Sequence, residues 1–120
     1  MKILIVDDSK AMRMIVVRTL RQAGFGSHTM VEAANGVEAL KSIEAAPPDL
    51  VLSDWNMPDM SGIELLQALR ERGSRVRFGF ITSENSEEMR TRAVESGALF
   101  LIAKPFTVES FQRTLTAHLG

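Results

Sequence analysis

Short apolar runs punctuate the chain at residues 3–6, 29–31, 50–52, 78–81 and 99–102, the second of them weaker than the rest. A run of this length without strict alternation reads as a strand buried on both faces. The stretches between the runs carry apolar residues at helical spacing instead. In the first, Met12, Ile15, Val16, Thr19, Leu20 and Ala23 share one face, and Gly24 supplies a stop. The second covers residues 37–45, entered through Asn35-Gly36 and closed by Pro47-Pro48. Ser61-Gly62-Ile63-Glu64 has the form of a capping box, followed by Leu65, Leu66 and Leu69 and ended by Gly73. A fourth helix is predicted from near Ser86 to Gly97, and a fifth after Pro105-Phe106-Thr107, turning Val108, Phe111, Leu115 and Leu119 inward.

Strand followed by helix, five times over, predicts a parallel sheet covered by helices on both faces, because right-handed crossovers return each helix across the sheet. The expected architecture is a three-layer α/β sandwich. At 120 residues the chain suits one domain, 1–120, with no linker and no output domain expected in it. Hydrophobic residues at 45% and charged residues at 24% are ordinary globular values. A net charge of −1 gives no global attraction to nucleic acid or to an anionic membrane, and zero cysteines exclude disulfides and thiolate metal sites. The apolar runs are too short for a signal-peptide core or a membrane span, so a cytoplasmic location is the expectation.

Chemistry gathers where the strands end. Asp7-Asp8 close the first run and Asp54 follows the third. In an open α/β sheet these positions open into the crevice at the strands' carboxyl ends. Three carboxylates sharing a crevice repel one another unless a cation takes up their charge. With only oxygen donors at hand, that cation is best read as Mg²⁺. Thr82 and Lys104 end the fourth and fifth runs, adding a hydroxyl and an ammonium. Carboxylates, a hard cation, an ammonium and a hydroxyl are what phosphoryl transfer requires, with an aspartate able to act as nucleophile and form an acyl phosphate.

Asp7-Asp8, Asp54-Trp55-Asn56-Met57-Pro58, Thr82-Ser83 and Lys104-Pro105-Phe106, in this order, resemble the signature of bacterial response-regulator receiver domains, in particular the stand-alone chemotaxis (CheY-like) type. The resemblance runs from Lys2 to Leu119. It implies a doubly wound, flavodoxin-like (βα)5 sheet with strand order 2-1-3-4-5. It also implies that Asp54 accepts a phosphoryl group, that Asp8 ligates Mg²⁺ directly while Asp7 acts through a metal-bound water, and that the Asn56 carbonyl is a further ligand. Lys104 would pair with phosphoryl oxygens and Thr82 would turn its hydroxyl to them. Ser83 matches a position kept small for donor access, and Asn56 and Glu84 match two positions that tune hydrolysis of the acyl phosphate. A cis Lys104-Pro105 bond is implied as well. The expected partners are a sensor histidine kinase and a downstream protein target, with the chain a monomer or a phosphorylation-promoted dimer. Small donors such as acetyl phosphate are expected to serve too.

Leu101 departs from the pattern, since the family usually has Tyr or Phe there. Phe100 precedes it, but neighbouring strand residues face opposite ways and one does not replace the other. Two other readings accompany the switch: a metal-dependent aspartate-nucleophile phosphatase, disfavoured by the adjacency of Asp7 and Asp8, and a receiver-shaped interaction module signalling without phosphate. Arg70, Arg72, Arg75 and Arg77 read as a solvated charged loop rather than a nucleic-acid footprint, His28 and His118 as surface residues, and the methionines as core filler apart from Met1, Met57 and Met60.

Overall fold

The computed structural model describes residues 1–84 and 86–119. Five strands, β1 (Lys2–Val6), β2 (Thr29–Ala33), β3 (Leu50–Ser53), β4 (Arg77–Thr82) and β5 (Phe100–Ala103), alternate with five helices, α1 (Lys10–Leu20), α2 (Gly36–Ala45), α3 (Gly62–Glu71), α4 (Glu87–Glu95) and α5 (Val108–Leu119). The strands form one parallel sheet in the order β2-β1-β3-β4-β5. This is the expected flavodoxin-like sandwich.

The two-residue period of a strand splits the apolar runs between two cores. Leu4, Val6, Val51, Phe78 and Phe80 face one cluster with Ala39, Ile43, Leu65, Leu66 and Leu69 of α2 and α3 and with Ala93 of α4. Ile3, Ile5, Leu50, Leu52, Ile81, Phe100 and Ile102 face the other, closed by Val16 and Leu20 of α1 and by Phe111 and Leu115 of α5. Burial on both faces is why the runs show no apolar-polar alternation. Phe100 and Leu101 obey the same period and enter opposite cores. Gly79 lets the Phe100 ring lie against β4, where a Cβ would meet the ring at 2.2 Å.

The helix punctuation follows the sequence closely. Ser9, Asn35, Ser61 and Ser86 cap α1 to α4 with their side-chain oxygens, and Ser61 and Glu64 form both bonds of the capping box. The Glu64 carboxyl is held below its usual range by the Ser61 backbone amide and then by the Ser61 hydroxyl. Gly24, Gly73 and Gly97 all have positive φ at helix ends. The first of these stops less abruptly than expected, because α1 runs into a wider π-helical turn at Arg21–Phe25.

Three expectations need correction. Ile15 lies outside the buried stripe of α1, 43% exposed, because only Val16, Thr19 and Leu20 of that helix reach the core fully. No methionine is fully buried; the seven line the rims of the cores or face solvent. Arg70 is more than a solvated charge. Its guanidinium donates to Ser74 O and Gly97 O, each at 3.1 Å, and ties the ends of α3 and α4 together. Arg72 pairs with Glu44. His28 accepts from the Met1 ammonium and stacks on Phe25, so it has a surface structural role and no ligand neighbours among the described residues. His118 is exposed and stacks on Phe100.

Candidate metal and phosphoryl site

Backbone hydrogen bonds extend the sheet past its strands and fix the loops at its carboxyl edge. Asp7 N donates to Ala33 O at 3.2 Å, Asp54 N to Val6 O at 2.9 Å and Lys104 N to Thr82 O at 2.9 Å. The β3–α3 loop then folds back on itself, with Gly62 N donating to Trp55 O at 2.7 Å. A Cβ on Gly62 would stand 2.1 Å from Asp54 O, so only glycine admits this approach. Ser53, fully buried, fastens the same carbonyl with its hydroxyl at 2.8 Å.

One carboxylate oxygen from each of Asp7, Asp8 and Asp54 lies within 4.8 Å of the other two. Asp7 is buried, Asp54 half-buried and Asp8 exposed. Lys104 Nζ stands 3.2 Å from Asp7 Oδ2 and 3.5 Å from Asp54 Oδ2. Three carboxylates thus face one ammonium, an excess of negative charge in a partly desolvated pocket. The donors are all oxygen and one side is open through Asp8, which suits a small hard divalent cation that keeps some of its waters. The residues fit Mg²⁺.

The three acids are not equivalent. Both oxygens of Asp7 are engaged, Oδ1 by Ser9 N at 2.9 Å and Oδ2 by Lys104. Asp8 is in no ion pair among the described residues. Asp54 Oδ1 accepts from Trp55 N at 2.7 Å, and Oδ2 faces Lys104. Burial raises the Asp54 carboxyl above its ordinary range; Lys104 draws it down, Asp7 pushes it up, and the Trp55 amide and Thr82 hydroxyl draw it down again.

Thr82 is fully buried, and its Oγ1 accepts from Glu84 N at 3.3 Å. Ser83 is exposed beside it. Asn56 Nδ2 donates to Glu84 Oε1 at 2.7 Å, bridging the loops after β3 and β4. The Lys104-Pro105 peptide is cis. Leu101 is half-buried and packs against the core cluster of α3 and α4.

Two arginines escaped the sequence reading. Arg13 Nη1 donates to Asp7 O at 2.7 Å while its Nε pairs with Glu32 at 2.9 Å, so it clamps the β1–α1 turn to β2. Its place, one turn beyond the cap Ser9, was the available signal. Arg92 of α4 lies over the Trp55 ring, 5.8 Å from its centroid, and no spacing rule announces that contact.

The profile of the response regulator receiver domain matches residues 3–116. The chain belongs to this family. The receiver is 36% identical over 123 aligned residues to the chemotaxis protein CheY1 of Helicobacter pylori, covering 100% of this chain and 98% of that protein. To the probable chemotaxis protein CheY of Rhizobium etli it is 37% identical, covering 99% and 92%. The structure of the chemotaxis response regulator CheY4 of Vibrio cholerae superposes with a TM-score of 0.86 at 36% identity, with 98% of each chain covered. It is thus a CheY-type receiver, a signalling component rather than a turnover enzyme. No helix among the described residues is long and apolar enough to cross a membrane.

Proposed function

We propose that this receiver is a phosphorylation switch of a two-component pathway, with Asp54 as its phospho-acceptor. The observation that carries the reading is the position of Asp54 Oδ2, 3.5 Å from Lys104 Nζ, with carboxylate oxygens of Asp7, Asp8 and Asp54 within 4.8 Å of one another. Oδ1 is committed to the Trp55 amide, which leaves Oδ2 to form the new bond. It attacks the phosphorus of a phosphohistidine on a sensor histidine kinase, or of acetyl phosphate. The P–N or P–O bond to the donor breaks, its electron pair leaves with imidazole or acetate, and Asp54 becomes a mixed anhydride.

Asp7, Asp8, Asp54 and the Asn56 carbonyl would hold Mg²⁺, which neutralises charge on the phosphoryl oxygens. Lys104 adds a fixed ammonium 3.5 Å from Asp54 Oδ2 and draws that carboxyl down against the effect of burial. Thr82 offers its hydroxyl to the transferred group from the end of β4. Ser83 leaves the mouth of the site open to the donor. Asn56 and Glu84, joined by their hydrogen bond, take on this reading the role of setting how long the anhydride survives. When water attacks the phosphorus, inorganic phosphate departs and the carboxylate is restored.

The receiver then passes its state to a downstream protein; the named relatives favour a chemotaxis pathway. Incubation with acetyl phosphate and Mg²⁺, followed by intact-mass measurement, tests the assignment. The expected result is one phosphoryl group per chain, abolished by chelation and by Asp54→Asn. Equal mass gain in Asp54→Asn would refute it.

A further inference from the structure

We propose that the stack of Arg92 on Trp55 couples the phosphorylation state of Asp54 to α4, tightening when Asp54 carries its phosphoryl group. The inference rests on the phospho-acceptor reading and deepens it by naming how that site is read.

Trp55 touches the site from both sides. Its amide donates to Asp54 Oδ1 at 2.7 Å, and its indole packs on Phe80 at 4.8 Å between centroids, two residues before Thr82 on β4. A rearrangement at either strand end therefore reaches the ring. When Oδ2 becomes the bridging oxygen of the anhydride, Oδ1 loses carboxylate charge and its hold on the Trp55 amide weakens, because hydrogen bonds to ionised acceptors are the stronger kind. The buried ring, still packed on Phe80, then has one restraint fewer on its small adjustments. Beside it, the phosphoryl group adds negative charge that attracts the guanidinium above.

The receiving element is loosely held. Ala93 is the single buried residue of α4 among the described residues, whereas α3 buries Gly62, Ile63, Leu65, Leu66 and Leu69. A helix with few core anchors responds to small free energies. Its lead-in is tied to Thr82 through Glu84 N, and its last turn is tied to Trp55 through Arg92, an exposed residue with no other ion pair among the described residues. Met89 of α4 packs at the edge of the same apolar cluster that holds Ala93, Ala98 and Leu101. Arg92 is thus its charged grip on the acceptor loop.

Coupling is reciprocal, so a contact that tightens in the phosphorylated state must also strengthen binding of a phosphoryl mimic. Cation–π contacts of this exposure correspond to about 2–5-fold in an equilibrium constant. The test titrates the full chain with beryllofluoride in Mg²⁺, following the emission of Trp55, its only tryptophan, and amide exchange across Glu87–Glu95. Arg92→Met is expected to bind beryllofluoride about 2–5-fold more weakly and to lose the change in α4 exchange, with Mg²⁺ affinity and thermal midpoint as in the parent chain. Arg92→Lys restores part of both. Arg90→Met, which removes the same charge from the same helix away from the indole, behaves like the parent. An unchanged α4 response in Arg92→Met, or an Arg90→Met that matches it, overturns the coupling while leaving the phospho-acceptor reading intact. A parent chain that does not respond to beryllofluoride overturns both.

Discussion

α3 and α4 cover the same face of the sheet and follow the two strands that lead to Asp54 and Thr82, yet they are held in different ways. α3 is sealed by a reciprocal capping box and buries five residues; α4 has one cap bond and buries Ala93 alone. The loop before α3 is locked by the approach of Gly62 to Asp54 O, while the one before α4 hangs on a 3.3 Å bond from Glu84 N to Thr82. The acceptor is therefore mounted on the rigid half of the receiver, and the element best able to move lies next to it. Such a division suits a switch, because a rigid site keeps its chemistry in register while a weakly anchored neighbour changes population at small cost.

The largest expected difference is in the core. Leu66→Ala, at a fully buried position of α3, should cost about 2–5 kcal/mol of unfolding free energy. Val94→Ala on α4, at a position 67% exposed, should stay within about 0.5 kcal/mol. Urea denaturation measures both, and similar losses would erase the contrast. The caps give a smaller and sharper test. Ser61→Ala should lower global stability by about 1 kcal/mol. Ser86→Ala should speed amide exchange in Glu87–Glu95 and leave the slowest-exchanging strand amides unchanged. If Ser86→Ala instead slows nothing and speeds every amide equally, α4 unfolds only with the whole.

The smallest effect is a pH dependence at the acceptor in metal-free protein. Asp54 binds its proton more tightly in the folded chain than at the ordinary value of 3.8, chiefly through burial. Its contribution to stability is therefore fully present below 3.8 and is lost as pH rises through the higher folded value. Asp54→Asn, which stays neutral, should be the more stable protein at pH 7, and the gap should close under acid. Thermal melts of the two proteins across pH check the sign; a parent chain more stable than Asp54→Asn at neutral pH contradicts it.

Much of this was legible in the sequence because it depends on local order. Runs buried on both faces gave the strands, Ser61 and Glu64 gave the start of α3, and acids placed just after strands had to meet at one sheet edge. The alternation of Phe100 and Leu101 was equally plain. Ile15 misled because helical spacing marks a face without fixing how wide its buried stripe is, and α1 buries a narrow one. The methionines misled because composition says nothing of depth. Arg70 reaching Gly97, Arg92 over Trp55, and Asn56 meeting Glu84 are contacts between side chains distant in sequence, with no period to reveal them. The resemblance placed Asn56 and Glu84 near one reaction; their mutual bond belongs to the structure.

The central claim is that Asp54 becomes an acyl phosphate in a pocket completed by Asp7, Asp8 and Lys104. Acyl phosphates are reduced by borohydride to alcohols, so the modified aspartate is converted to homoserine and can be located by peptide mass mapping. After treatment with acetyl phosphate and Mg²⁺, the account predicts homoserine at position 54 and at no other aspartate or glutamate. Homoserine elsewhere, or none at 54 in a chain that has gained phosphate, would contradict it.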